Sequence, residues 1–333
     1  MKNLKLKIFI IGLSLITMLL WTGLNAQASG VNKDRIQYNR NYHRVRTMYR
    51  TNYGFYRQIF KSGMKRSSSA KGSYNRKFAI MRIAKNGHGV FFKTNRGWIN
   101  RDAFYKWTRY QGKLNYSMKV NHAHVLLYNK PWGLKGAKIT GSTSTKKLVG
   151  NWYHVDKRAE LNTGRGYYRL TTKNKTYWIK GKYLSFNTKK LVGNIKRIEK
   201  AVKVGSKLVG KSKYSWGGGR TAVSIRNRRF DCSSFIHYIY ARSGVRLGAL
   251  SGCTTYSLIH MGRKIKAKHM KRGDIFFFND KDEGNNCHVA MYLGNRLFIH
   301  DSPSSDTGGV GISSLQDPHW KMRFNGIVRR LVG

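Results

Sequence analysis

The chain has 333 residues and a formal net charge of +52, from 65 Lys and Arg against 13 Asp and Glu. That length has room for two or three ordinary domains, and that charge calls for a polyanionic partner. Three cysteines without C-x-x-C spacing exclude a disulfide-stapled scaffold and argue against a structural zinc site.

Lys2, Lys5 and Lys7 precede an apolar run from Ile8 to Leu24, and the small-x-small string Ala26-Gln27-Ala28 follows. Residues 1–28 therefore read as a secretory signal peptide. An uncleaved anchor is the alternative, because the run is long enough to span a bilayer. The cleavage pattern favours removal, which leaves no membrane-spanning segment. Residues 29–194 then hold 37 basic and 4 acidic side chains. Nucleic acid can satisfy such a charge, but export disfavours it. Wall teichoic acid, lipoteichoic acid or an anionic membrane surface fits an exported protein better.

In residues 31–60, Tyr38, Tyr42, Tyr49, Tyr53 and Tyr56 interleave with six arginines. Two readings stand side by side. The rings could stack on sugars or bases while the arginines pair with phosphates, or the tyrosines could be strand residues of a small β domain. A weak repeat follows. Gly87-His88-Gly89-Val90-Phe91-Phe92 leads to Trp98-Ile99, and Gly164-Arg165-Gly166-Tyr167-Tyr168 leads to Trp178-Ile179. Each copy reads as short alternating strands with Gly, Asn and Lys turns, the pattern of a small β barrel. Both copies are similar to bacterial SH3-like and GW-type wall-binding modules. Trp98 and Trp178 read as core anchors rather than ligand contacts. Residues 29–115 are expected to hold the Tyr-rich segment and a first module, and residues 116–190 a second.

Asn194 is a candidate helix cap. After it Ile195, Ile198, Ala201, Val202, Leu208 and Val209 keep helical spacing, so a last domain is expected over 194–333. Within it, Asp231 and Ser233 are helix-start residues ahead of Phe235, Ile236, Ile239 and Tyr240. Cys232 is thus expected in the first turn of a helix, where the dipole favours thiolate. Downstream, His288 opens an alternating run that stops at Gly294-Asn295, and the next run ends on His300. Two strands joined by that turn bring the histidines to neighbouring heights. Cysteine, base and orienting group are the parts of nucleophilic catalysis. A buried structural cysteine with two satisfied histidines is the plainer reading.

The strings Tyr214-Ser215-Trp216-Gly217-Gly218, Phe230-Asp231-Cys232-Ser233-Ser234-Phe235, Arg272-Gly273-Asp274-Ile275, His288 to Gly294 and Phe298-Ile299-His300 together resemble the NlpC/P60 family of cell-wall cysteine peptidases. The resemblance covers the last 140 residues or so. It implies an α+β, papain-like fold and hydrolysis of peptidoglycan stem peptides, typically after γ-D-glutamyl, without a cofactor. By the same resemblance Cys232 is the nucleophile, His288 the base and His300 the polar third member. Tyr214, Trp216, Asp231 and Ser233 would contact substrate, with Asp231 or Ser233 meeting a free amine. Ser234 stands where the family usually has Gly, and Arg226-Asn227-Arg228-Arg229 is a basic insert between Tyr214 and Cys232. A same-fold amidase or acyl transferase, or an inert wall adhesin, are the competing readings. Cys253 and Cys287 are expected to be non-catalytic and available to pair after export.

Overall fold

The computed structural model describes residues 44–59 and 64–333. The expected signal peptide, with Tyr38 and Tyr42, lies outside them. No helix among the described residues is long and apolar enough to cross a membrane. The chain divides into two compact units, one ending at Phe104 and one running from Tyr105 to Gly333.

The first unit is all-β. Its five-stranded sheet runs in the order Arg66–Ser69, Gly54–Tyr56, Gly97–Asn100, Gly89–Thr94, Arg82–Asn86. A separate ladder pairs Arg44–Thr47 with Lys77–Ile80. Alternation does the folding: in Lys77–Ile80, Phe78 and Ile80 are buried and their neighbours exposed. Phe78 joins Met48, Phe55, Phe92, Ile99 and Phe104 in the core. Trp98 is buried, with the Lys93 ammonium 5.7 Å from its ring. Tyr53 packs against the core, and Tyr56 sits edge-on to Phe91. Tyr56 is thus a strand residue of a small β domain, as the second reading has it, and Tyr53 directly precedes that strand.

The second unit opens with a seven-stranded sheet. Its order is Ile139–Ser142, Leu126–Tyr128, Thr176–Lys180, Gly166–Thr171, Trp152–Leu161, Thr108–Val120, Leu184–Phe186. The expected barrels do not close among the described residues, since both sheets have unpaired outer strands. A physical reason is visible in the second. Its apolar face does not have to fold back on itself. Leu114, Tyr116, Met118 and Tyr168 belong to the same apolar cluster as Phe235, Ile239 and Met291 of the last domain. The Tyr116 hydroxyl also lies 2.7 Å from Ser314 Oγ.

The last domain is α+β. Its six-stranded antiparallel sheet runs Arg263–Ile265, Phe324–Arg330, Ile275–Asp280, Gly284–Gly294, Leu297–Asp301, Val310–Ser314. The helices Lys196–Ser206 and Cys232–Arg242 pack on one another and on this sheet. Ile198, Ala201, Phe235 and Ile239 meet Ile275, Phe277, Val289 and Met291 there. The other face gathers Phe276, Phe278, Phe298 and Trp320. Full burial of each such ring stabilises the fold by about 1.5–3 kcal/mol. The first helix starts from Ile195 without a side-chain cap, not from Asn194. The Gly193 N–H donates to the Glu199 carboxylate instead. All three cysteines are free. The anticipated Cys253–Cys287 pair does not form, because the thiols serve different elements. Cys253 reaches the Ser233 carbonyl on the helix, and Cys287 reaches the Phe278 carbonyl on a strand.

Candidate active site

Cys232 is the first residue of the helix Cys232–Arg242. The helix starts there because Asp231 and Ser234 cap it reciprocally. The Asp231 carboxylate accepts from the Ser234 N–H at 2.9 Å, and Ser234 Oγ accepts from the Asp231 N–H at 3.0 Å. Ser234, the departure from the family's glycine, thus has a structural use. Gly219 (φ 79°) passes so close to it that a Cβ there would sit 2.5 Å from Ser234 Oγ.

The thiol is 6% exposed. Burial, and then the Asp231 carboxylate, push its pKa up to about 12, against the pull of the Val289 and Ser233 backbone N–H groups. The helix-start argument for a thiolate is therefore overturned in the free protein. A macrodipole contributes a fraction of a charge, and removing the sulfur from water outweighs it. The Val289 N–H that points at the sulfur belongs to the residue after His288.

His288 and His300 are brought together as expected. Asn295 and Arg296 both have positive φ, 48° and 60°, as a tight hairpin turn requires. Met291 then lies opposite Ile299, so the two histidines are diagonal neighbours on one face. His288 Nε2 and His300 Nδ1 are hydrogen-bonded at 2.9 Å, and His300 Nε2 and Ser313 Oγ at 2.9 Å. Both rings lean on Trp320, at centroid distances of 5.5 and 4.7 Å. Burial, with the nearby His319 adding, lowers the His288 pKa to about 3. Burial likewise holds His300 well below its ordinary value. At neutral pH the site rests as a neutral thiol and two neutral imidazoles. Sequence reasoning missed Ser313 and Trp320, which carry no local signal of their role.

The basic insert leaves Tyr214 in the site. Residues Ala222–Arg226 form a short helix, after which Lys213–Tyr214 pairs in parallel with Arg229–Phe230, setting Tyr214 opposite Phe230. Burial raises the Tyr214 pKa, and Cys232, Asp231, Glu283 and Asp301 all lie close enough to raise it further. Trp216 stands 85% exposed and is not packed with the others. Asp231 and Ser233 are both engaged by Arg220, which sequence reasoning also missed. Its guanidinium donates to Asp231 Oδ2 at 2.5 Å, to Ser233 Oγ at 3.1 Å and to the Cys253 carbonyl at 2.8 Å. Ser233 Oγ donates to Asp231 Oδ1 at 3.1 Å. A free amine would have to compete with this network. Asp274 is a turn residue, buried and paired with Arg330 at 2.8 Å.

Residues 210–329 match the NlpC/P60 family. Residues 37–105 and 110–185 match the GW (Gly-Tryp) dipeptide domain. The chain is 50% identical over 135 residues to peptidoglycan DL-endopeptidase CwlO of Bacillus licheniformis, covering 40% of this chain and 28% of that one. It is 32% identical over 111 residues to the murein DD-endopeptidase MepS/murein LD-carboxypeptidase of Escherichia coli K12, covering 33% and 55%. It is 40% identical over 89 residues to peptidoglycan endopeptidase RipA of Mycolicibacterium smegmatis, covering 25% and 16%. The chain thus spans about half or less of the length of these relatives. Among solved structures, it is similar to the P60 domain of an antigen from M. avium subspecies paratuberculosis, with 24% identity and a TM-score of 0.32, over 41% of this chain and 96% of that one.

Proposed function

Because residues 210–329 form an NlpC/P60 domain behind GW repeats, we propose that the protein is a secreted peptidoglycan endopeptidase. It cleaves a stem-peptide bond, after γ-D-glutamate or isoglutamine, by covalent catalysis at Cys232. The basic GW modules hold it on anionic wall polymers, teichoic or lipoteichoic acid. The observation that carries this reading is the thiol at a capped helix start beside the Val289 N–H, one peptide unit from a His288–His300–Ser313 chain.

The chemistry follows from the protonation states. His288 Nε2 is occupied by His300, which leaves Nδ1 as the nitrogen free to take a proton. A thiol at about 12 and an imidazole at about 3 do not form an ion pair at rest. Proton transfer therefore accompanies attack: as sulfur bonds to the scissile carbonyl carbon, the thiol proton passes to His288. The Cys232 N–H is among the helix-start donors that lack an intrahelical acceptor, and it stabilises the oxyanion. His288 then returns its proton to the leaving amine as the C–N bond breaks. Water, deprotonated by the same imidazole, hydrolyses the thioester and restores the thiol. Tyr214 lines the site and contacts the substrate.

The test is digestion of purified peptidoglycan by the parent and by Cys232→Ala, read by mass spectrometry. The expected product carries a new amine on the residue that follows D-glutamate or isoglutamine, from the parent only. No new terminus from the parent, or the same termini from Cys232→Ala, overturns the reading.

A further inference from the structure

The strand Trp152–Leu161 of the second GW module buries two charged residues, Arg158 and Glu160. Their partners lie in the NlpC/P60 domain. Arg158 contacts Asp317 at 2.7 Å and Asp306 at 3.2 Å, besides Glu160 at 3.3 Å. The Tyr168 hydroxyl donates to Asp306 at 2.7 Å. Asp306 is pressed against the module's backbone: a Cβ on Gly166 would sit 2.0 Å from its Oδ1, and one on Gly181 2.5 Å from its carboxyl.

Glu160 reaches further. Its carboxylate meets His319 Nδ1 at 3.1 Å. His319 lies between the Tyr110 ring of the module, at 5.4 Å, and Trp320, at 4.5 Å. Trp320 in turn meets His300 at 4.7 Å and His288 at 5.5 Å, the two rings that bond each other at 2.9 Å. An unbroken line of buried contacts thus joins the GW module to the histidine pair. Buried ion clusters add little net stability, because desolvation offsets their attraction, and in some proteins their use is to specify one geometry.

We propose that the second GW module is part of the catalytic unit, and that Glu160 is a positioning residue which, through His319 and Trp320, fixes the His288–His300 pair. The inference rests on the reading of that pair as the base and its orienting partner. Wall attachment is then only one of this module's two tasks.

The test uses the full chain. Glu160→Ala and Glu160→Gln are compared with the parent, and Asp156→Ala serves as control, since Asp156 pairs with Arg169 at a half-exposed site on the same strand. Two quantities are read: kcat and KM on a soluble stem peptide, where attachment plays no part, and the rate of Cys232 alkylation by iodoacetamide against pH, located by mass spectrometry. Glu160→Ala is expected to lower kcat about tenfold or more with KM within twofold, and to slow Cys232 alkylation at neutral pH. Glu160→Gln, which keeps an acceptor for His319, should recover most of both, and Asp156→Ala should match the parent. A Glu160→Ala protein that is merely less stable, with kcat per folded molecule and alkylation profile unchanged, overturns the proposal. Should Glu160→Ala not fold, His319→Asn decides, because it keeps a donor toward Glu160 but loses the ring against Trp320. An unshifted alkylation profile in that variant refutes the positioning role. A parent that cleaves no stem peptide refutes the functional reading instead, and the alkylation profiles still decide the positioning claim.

Discussion

Asp301 offers a quantitative test of how the surroundings of His300 are built. It follows His300, is 0% exposed, and neither carboxyl oxygen has a hydrogen-bond partner. Burial, with the Asp231 carboxylate adding, raises its pKa from 3.8 to about 8. Unfolded, the same group ionises near 3.8. Between those values unfolding releases a proton, so the stability it contributes is complete below pH 3.8 and is lost as pH rises toward 8. Each pH unit in that window costs about 1.4 kcal/mol. Asp301→Asn abolishes the titration and keeps the shape. Its buried amide carries a penalty of about 1–3 kcal/mol, but one that does not vary with pH. Relative to the parent, the variant should therefore gain about 2.7 kcal/mol between pH 5 and pH 7. The assay is urea unfolding at pH 5, 6 and 7, following the transition that exposes Cys232 to alkylation. Parallel stability curves for parent and variant across this range would refute the reasoning. They would mean that Asp301 finds a partner or water that its surroundings do not show.

Four further outcomes are expected. His288→Ala should cost about a thousandfold or more in stem-peptide cleavage, close to the loss from Cys232→Ala. His300→Ala should cost only about ten- to a hundredfold, because water beside Ser313 can replace part of its hydrogen bonding; equal losses in the two variants would contradict the division of roles. Retention on cell walls should fall steeply with salt and with removal of teichoic acid, since many counterions are released when this charge meets phosphates; retention indifferent to both would point to sugar or peptide recognition. Thiol counting on the unfolded, unreduced protein should give three free thiols, matching the separate environments of Cys253 and Cys287; one free thiol would restore the disulfide.

What the sequence determined by itself is what local chemistry dictates. Asp231 starts a helix because a short polar side chain satisfies its first N–H groups, and that puts Cys232 at the first position; the reciprocal cap is Ser234, where the sequence pointed to Ser233. Gly294-Asn295 sets a hairpin register, and a period of two residues then brings His288 and His300 to one face. The buried tryptophans of the repeat follow from their large apolar rings, not from alternation, since Trp98 and Ile99, and Trp178 and Ile179, are buried at consecutive positions. Only the tertiary structure decided the rest, because those contacts join residues far apart in the chain. Arg220 takes up Asp231 and Ser233 from a loop whose docking no local pattern encodes. Glu160 and His319 meet across 159 residues, and in the sequence Arg158 and Glu160 look like ordinary strand charges. The thiol's protonation shows the difference most directly. The helix dipole can be read from the sequence and favours thiolate. The burial that overrides it is a property of the whole packed domain, and becomes known only when the helix, the sheet and the Tyr214 strand close over the sulfur.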